Sequence, residues 1–292
     1  MRRFQSTALA AVAVIGFASI ASAADMPTKA PIVKAPIAVA EYNWTGFYVG
    51  INGGGVWMDP SMTYTDLANT GNTFNSYVPS TVNASASSVF AGLHAGYNWQ
   101  AAPNWVLGIE GDWDWTNLKA SGTNMLNRAV VGTLLTDNVF LETKVNWLAS
   151  VRGRLGYASN NWLFYATGGV AFADLDLNAQ VHCTGVAPSL CGAPGQNIRA
   201  GFSDTRVGEV VGGGIEFRPA SNWTFGVEYL YYHFSSITRG GSWLFPSGAP
   251  APFYDCTVAG QNCARFSTGD IGVNTARLRL SYEFNTPVVA KH

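Results

Sequence analysis

The segment Asn274–Phe284, NTARLRLSYEF, alternates with a period of two. Ala276, Leu278, Leu280, Tyr282 and Phe284 fall on one face of an extended chain, and Thr275, Arg277, Arg279, Ser281 and Glu283 on the other. An ordinary antiparallel sheet hides its apolar face in a core and wets the polar one. Here the pattern recurs along the chain, with ionised residues on the polar face and aromatics at the segment ends. That combination predicts an inside-out protein, a β-barrel with lipid outside and polar groups inside.

Eight such segments can be read. The first is Trp44–Trp57, with Phe47, Val49 and Ile51 on one face. The second is Ser88–Gln100, where Val89, Leu93, Tyr97 and Trp99 alternate with Gly92, His94, Gly96 and Asn98. In the third, Trp105–Thr116, Leu107, Ile109, Trp113 and Trp115 oppose Glu110, Asp112 and Asp114. In the fourth, Phe140–Tyr157, Val145, Trp147, Val151 and Leu155 oppose Lys144, Asn146, Arg152 and Arg154. The fifth, Trp162–Asp174, has a mixed apolar run that leaves its facing open. The sixth, Arg206–Arg218, sets Val207, Val211 and Ile215 against Glu216 and Arg218. The seventh, Trp223–Ser235, sets Phe225, Val227, Tyr229 and Tyr231 against Glu228, and the eighth ends at Phe284. The connections alternate in length. Ala101–Asn104, Ala158–Asn161 and Pro219–Asn222 are tight, whereas Met58–Ser87, Leu118–Val139, Leu175–Thr205 and Ser236–Gly269 are long. Short periplasmic turns opposite long external loops are the habit of outer-membrane barrels. Each tight turn ends in Asn-Trp, at Asn104-Trp105, Asn161-Trp162 and Asn222-Trp223. Asn accepts turn dihedrals, and the Trp that follows suits the membrane–water interface. Trp44, Trp57, Trp99, Trp105, Trp162, Trp223 and Phe284 are therefore read as interface aromatics.

The N-terminus reads as a processing signal. Arg2 and Arg3 precede an apolar run, Ala8–Ile20, too short to span a bilayer, and Ala21-Ser22-Ala23 is a small-x-small cleavage site. Residues 1–23 are expected to be a signal peptide, 24–41 a Pro/Ala-rich periplasmic linker, 42–284 the barrel and 285–292 a C-terminal tail. No later stretch has the ~18 consecutive apolar residues of a membrane helix. The chain carries 10 Trp, 12 Tyr and 16 Phe with only 12% charged residues, which suits short strands rather than helices. A net charge of −1 gives no footprint for nucleic acid. Export permits disulfides. The four cysteines fall in two close pairs, Cys183/Cys191 and Cys256/Cys263, and local pairing is the expected connectivity among the three possible. Neither pair has metal-ligand spacing, so no metal and no cofactor is expected.

On this facing Glu110, Asp112, Lys144, Arg152, Arg154, Glu216, Arg218, Glu228, Arg277, Arg279 and Glu283 point into the barrel. Eight strands enclose a lumen just wide enough for side chains, and unpaired charge there is costly, so a salt-bridged plug is expected rather than a wide pore. Glu110 and Asp112 are close enough in sequence for acid–base catalysis, but the basic residues of the other strands make ion pairing the better account. A second grouping sits on the outward face. His233 and Ser235 share the face of Tyr229 and Tyr231, and Glu209 should approach His233 across the tight hairpin. A Ser, a His and a carboxylate at a barrel rim resemble a lipid A deacylase arrangement, although headgroup anchoring explains them without catalysis. His94 and His182 are candidate haem ligands, and the long loops a candidate platform for a receptor, a phage or a surface ligand.

The segments YNWTGFYVG at 42–50, YATGGVA at 165–171 and VEYLY at 227–231 resemble the alphaproteobacterial outer-membrane β-barrel family, often called porin-family or outer-membrane immunogenic proteins. The resemblance implies an all-β fold, an eight-stranded antiparallel up-and-down transmembrane barrel in the cell outer membrane, with a mainly structural and surface role. It also implies contact with outer-membrane lipids and lipopolysaccharide, and recognition of the last strand by the barrel-assembly machinery. Passive diffusion of small solutes is the alternative function. The chain departs from the family pattern in the eight residues after Phe284 and in a charged Glu209 where an apolar or aromatic residue is usual.

Overall fold

A computed structural model describes residues 42–67, 80–130, 133–182, 197–219, 222–244 and 263–284. The expected signal peptide, linker and tail lie outside the described residues. Every described residue lies in a compact unit spanning Ala40–His292.

Among the described residues there are twelve strands: β1 Gly46–Met58, β2 Ser61–Leu67, β3 Ser80–Asn83, β4 Ala86–Ala102, β5 Trp105–Val130, β6 Thr133–Ser159, β7 Trp162–His182, β8 Asn197–Phe217, β9 Trp223–Phe234, β10 Thr238–Leu244, β11 Cys263–Thr268 and β12 Ile271–Glu283. Eight of them form the barrel. Antiparallel ladders join β1 to β4, β4 to β5, β5 to β6, β6 to β7, β7 to β8, β8 to β9, β9 to β12 and β12 back to β1. Each of these strands has two barrel neighbours, so the ring leaves no edge. The eight barrel segments read from sequence correspond to these strands.

The long connections are not plain loops. Beyond the expected barrel segments, β5 continues to Val130, β6 begins at Thr133, β7 continues to His182 and β8 begins at Asn197. The segments 58–87 and 236–269 contain β2, β3, β10 and β11, which extend the wall as β3-β2-β11-β10 against β8. Their alternation was missed because these residues are short, polar and Thr/Ser-rich, yet they bury Met62, Tyr64, Val82 and Phe266 against Val139, Leu141, Leu177 and Ala179.

The facing follows the dyad pattern with one break. On β12, Leu278 is 69% exposed while Arg277 and Arg279 are buried. On β7, whose facing was open, Leu163, Tyr165, Ala171 and Ala173 point in, and Trp162, Phe164 and Val170 point out. On β6 the inward set is odd-numbered through Val145 and even-numbered from Leu148 onward. Register shifts against β5 at Trp115/Leu118 and against β7 at Val145/Leu148 mark an irregularity there. An extra residue in one strand does this, because a period of two inverts when one position is inserted.

The three Asn-Trp repeats have a structural role in the turns. Asn104 exchanges hydrogen bonds with Ala158, its backbone oxygen accepting from Ala158 N–H at 2.7 Å and its amide donating to Ala158 O at 2.8 Å. Asn222 does the same with Glu283, at 2.8 and 2.9 Å. Each ties its turn to the neighbouring strand end. The left-handed turn residue of β6–β7 is Asn160, with φ 53°, next to Asn161.

Candidate functional site

The lumen is filled in layers. At the turn end, Trp44 packs with Val106, Ala158, Leu163 and Tyr165. In the middle lies a charged layer, and toward the long-loop end an apolar layer includes Leu118, Val145, Leu148, Leu230, Tyr232 and Val273. Sequence reasoning expected a polar interior throughout. The apolar layer was not anticipated, because it forms where the strands leave the membrane and behave as an ordinary core.

The charged layer is built from inward positions of five strands. Arg152 on β6 reaches Glu110 at 2.5 Å, Asp112 at 2.8 Å and Glu228 at 3.0 Å. Arg154 pairs with Glu216 at 2.7 Å and donates to the Tyr48 hydroxyl at 2.7 Å. Arg279 pairs with Glu110 and with Glu228 at 2.8 Å. Arg277 reaches Asp114 at 2.8 Å and the Tyr232 hydroxyl at 2.8 Å. Hydroxyls also donate to these carboxylates, with Tyr48 to Glu110 at 2.6 Å, Tyr165 to Glu228 at 2.9 Å and Ser150 to Asp112 at 2.6 Å. Nearer the turns Arg218 pairs with Glu283, which also accepts from Thr224 at 2.7 Å. Glycines on the inner face make this possible. A Cβ at Gly92 would collide with the Asp114 carboxylate and the Trp113 carbonyl, and one at Gly50 with the His94 ring.

Ten of the eleven expected lumen charges are therefore buried inside and paired. Lys144 is the exception. It follows the inversion on β6, so Val145 faces in and Lys144 faces out, opposite Lys119 and Asp176. Asp114, Tyr48, Tyr165 and Tyr232 belong to the network and were not among the expected site residues. Asp114 shares the alternation of Glu110 and Asp112, so the signal was there. The tyrosines carried no comparable signal, because their hydroxyls matter only once four strands converge.

Of the interface aromatics, Trp99, Trp105, Trp162, Trp223 and Phe284 face outward at the turn end, and Trp57 faces outward at the other end. Trp44 does not. It is fully buried, its backbone N–H donates to Gln100 Oε1 at 2.9 Å, and the Arg218 guanidinium lies 4.3 Å above its ring. It precedes the first ladder residue and turns into the mouth, where a cation on its face replaces the interface. From Trp105 to Trp115 a strand rises about 33 Å along its axis, or about 25 Å across the membrane once tilted, the height of a hydrocarbon band.

The outward grouping also takes shape. Glu209 and His233 are cross-strand partners, with Glu209 Oε1 3.5 Å from His233 Nδ1. Asp270 Oδ2 stands 3.6 Å from His233 Nε2. Both imidazole nitrogens thus face carboxylates, and Asp270 was not foreseen. Ser235 is exposed beyond the end of β9. His94 is inside the barrel, with Nδ1 3.2 Å from Asn52 Oδ1 and Nε2 2.8 Å from Ser281 Oγ, so neither nitrogen is open to haem. The side chain of His182 lies outside the described residues, as do Cys183, Cys191, Cys256 and the Cys263 side chain. Among the described residues no group of His, Cys, Asp and Glu is arranged to hold a metal ion.

A closed ring of eight antiparallel strands, lipid-facing outside and ion-paired within, defines an integral β-barrel protein of the outer membrane. Residues 10–284 match the outer membrane protein beta-barrel domain family, and the chain belongs to it. It is similar to the 31 kDa outer-membrane immunogenic protein of Brucella melitensis biotype 1, 30% identical over 235 residues, 78% of this chain and 86% of the relative. It is similar also to the 25 kDa outer-membrane immunogenic protein of Brucella canis, 29% identical over 240 residues, 81% and 87% of the two chains. A 22 kDa outer membrane protein of Rhizobium leguminosarum bv. viciae is 30% identical over 144 residues, 49% and 52% of the two.

Proposed function

We propose that this outer-membrane barrel is a sealed structural element that displays its extended strands at the cell surface, and that it neither conducts solutes nor catalyses a reaction. The observation that carries this reading is the double closure of the lumen. Four arginines lie among five carboxylates, and an apolar layer sits above them. Neither layer has an evident reason to part, since every arginine holds at least two partners and the apolar side chains are packed. Catalysis at the rim is disfavoured because His233 is placed between Glu209 and Asp270 rather than against Ser235. Partners in this reading are lipids and lipopolysaccharide on the outward band, the assembly machinery during insertion, and a surface ligand for the projecting sheet. Planar-bilayer recording of the purified, folded protein tests it. The expected result is no steady conductance. Reproducible channels would establish the porin alternative.

A further inference from the structure

We propose that the outward face of β4–β7 binds a glycolipid of the outer leaflet, its acyl chain in a groove and its sugar on a stacked tryptophan pair. The inference rests on the placement of the barrel in the outer membrane and adds a specific site to it.

A shallow groove of about 830 Å³ runs along the outward face from β12 and β1, at Leu280, Tyr282, Val49 and Ile51, to β4–β7, where Leu93, Ala95, Gly111, Trp113, Ala149 and Phe172 line it. Trp113 stands opposite Leu93 and Ala149, and Ala149 opposite Phe172, so these residues form one outward row. Ala95 and Gly111 pair in the row beneath. Small side chains there leave a trough between bulky walls. It lies within the apolar band, so its occupant is a hydrocarbon chain.

What distinguishes the site is its upper end. Trp113 and Trp147 stack with ring centroids 4.3 Å apart and an interplanar angle of 23°. The inversion on β6 turns both Asn146 and Trp147 outward, although they are consecutive. The Asn146 amide donates to Asp174 Oδ2 at 3.0 Å and Asp176 Oδ2 at 2.8 Å. Hydrogen bonds from Ser203 and Asn146 hold the Asp176 carboxyl below its ordinary range, keeping it an acceptor. Asp176 lies opposite Lys144, which faces the same way. Aromatic faces beside fixed carboxylates suit the CH faces and hydroxyls of a sugar, and Lys144 suits an anionic substituent on it. An interface girdle accounts for tryptophans at this height. It does not account for a strand irregularity that brings an amide and two carboxylates to their side, nor for a trough directly below.

The test uses the full chain in phosphatidylethanolamine nanodiscs, titrated with deep-rough lipopolysaccharide or with phosphatidylglycerol, with binding read by native mass spectrometry and tryptophan fluorescence. Gly111→Leu fills the trough, and its Cβ has room, since the nearest atom is the Ser150 carbonyl at 3.6 Å. Trp147→Leu removes the platform. Each is expected to weaken lipopolysaccharide binding about tenfold, with no preference of the wild type for phosphatidylglycerol. Leu278→Phe, on β12 and outside the groove lining, should bind as the wild type does. Asn146→Ala, half-buried at the rim, supplies the same readout if a core-proximal variant does not fold. Equal lipopolysaccharide binding by wild type, Gly111→Leu, Trp147→Leu and Asn146→Ala overturns the proposal, as does phosphatidylglycerol binding as tightly. Fractionation of cells tests the placement separately, because a barrel absent from the outer membrane would fail there whatever the lipid result.

Discussion

Arg279 and Glu110 are 169 residues apart in sequence and meet inside the barrel, where Arg279 Nη1 donates to Glu110 Oε1 at 2.9 Å. Glu110 also receives Arg152 and Arg154. One carboxylate therefore joins β5, β6 and β12, and it can do so only after the ring has closed. The charged layer thus reports on closure, and closure in turn supplies the counterions that make the buried charges tolerable.

Arg152 is the residue on which the layer most depends. Arg152→Leu leaves Glu110, Asp112 and Glu228 each short of a partner in a site with no solvent. We expect a loss of about 3–5 kcal/mol, the usual cost of breaking a buried pair. Urea unfolding from lipid vesicles measures it. Adding Glu110→Gln to Arg152→Leu should recover part of the loss, and an additive result would show that the two residues are not coupled.

The lipid face makes a complementary prediction. Leu278→Arg places a cation in the apolar band and should cost about 2–4 kcal/mol near the midplane. Leu278→Phe should fold normally. Heat-modifiable gel mobility after refolding into vesicles compares them, and equal folding of both variants would mean that β12 faces the other way.

Deletion of Asn146 should restore an unbroken period of two along β6. Val145 would still face inward and Lys144 outward, and the ladder with β7 would become regular, but Thr116 and Asn117 of β5 would have no residue opposite them on β6. We expect the β5–β6 extension to become protease-sensitive while the membrane-embedded part stays folded. Limited proteolysis of the refolded protein checks this, and an unchanged fragment pattern would show that the β5–β6 ladder does not depend on Asn146.

At the outward rim, Ser235→Ala should leave the acylation of lipid A unchanged, because His233 faces Glu209 and Asp270. Mass spectrometry of lipid A from cells with and without the protein decides it. Loss of an acyl chain that depends on Ser235, His233 and Glu209 together would make the protein an enzyme.

The sequence by itself determined the inside-out character, the eight barrel strands, the tight turns and ten of the paired lumen charges. All of these follow from a period of two read against a membrane, a rule that acts residue by residue. The tertiary structure decided what depends on neighbours in space. It turned Trp44 inward under Arg218, because the chain enters the mouth before its first ladder. It turned Lys144 outward, because an irregularity fixed by the registers of β5 and β7 inverts β6. It drew Tyr48, Tyr165 and Tyr232 into the ion network and packed an apolar layer above it. In each case the local alternation is neutral or misleading, and the partner that settles the matter lies on another strand.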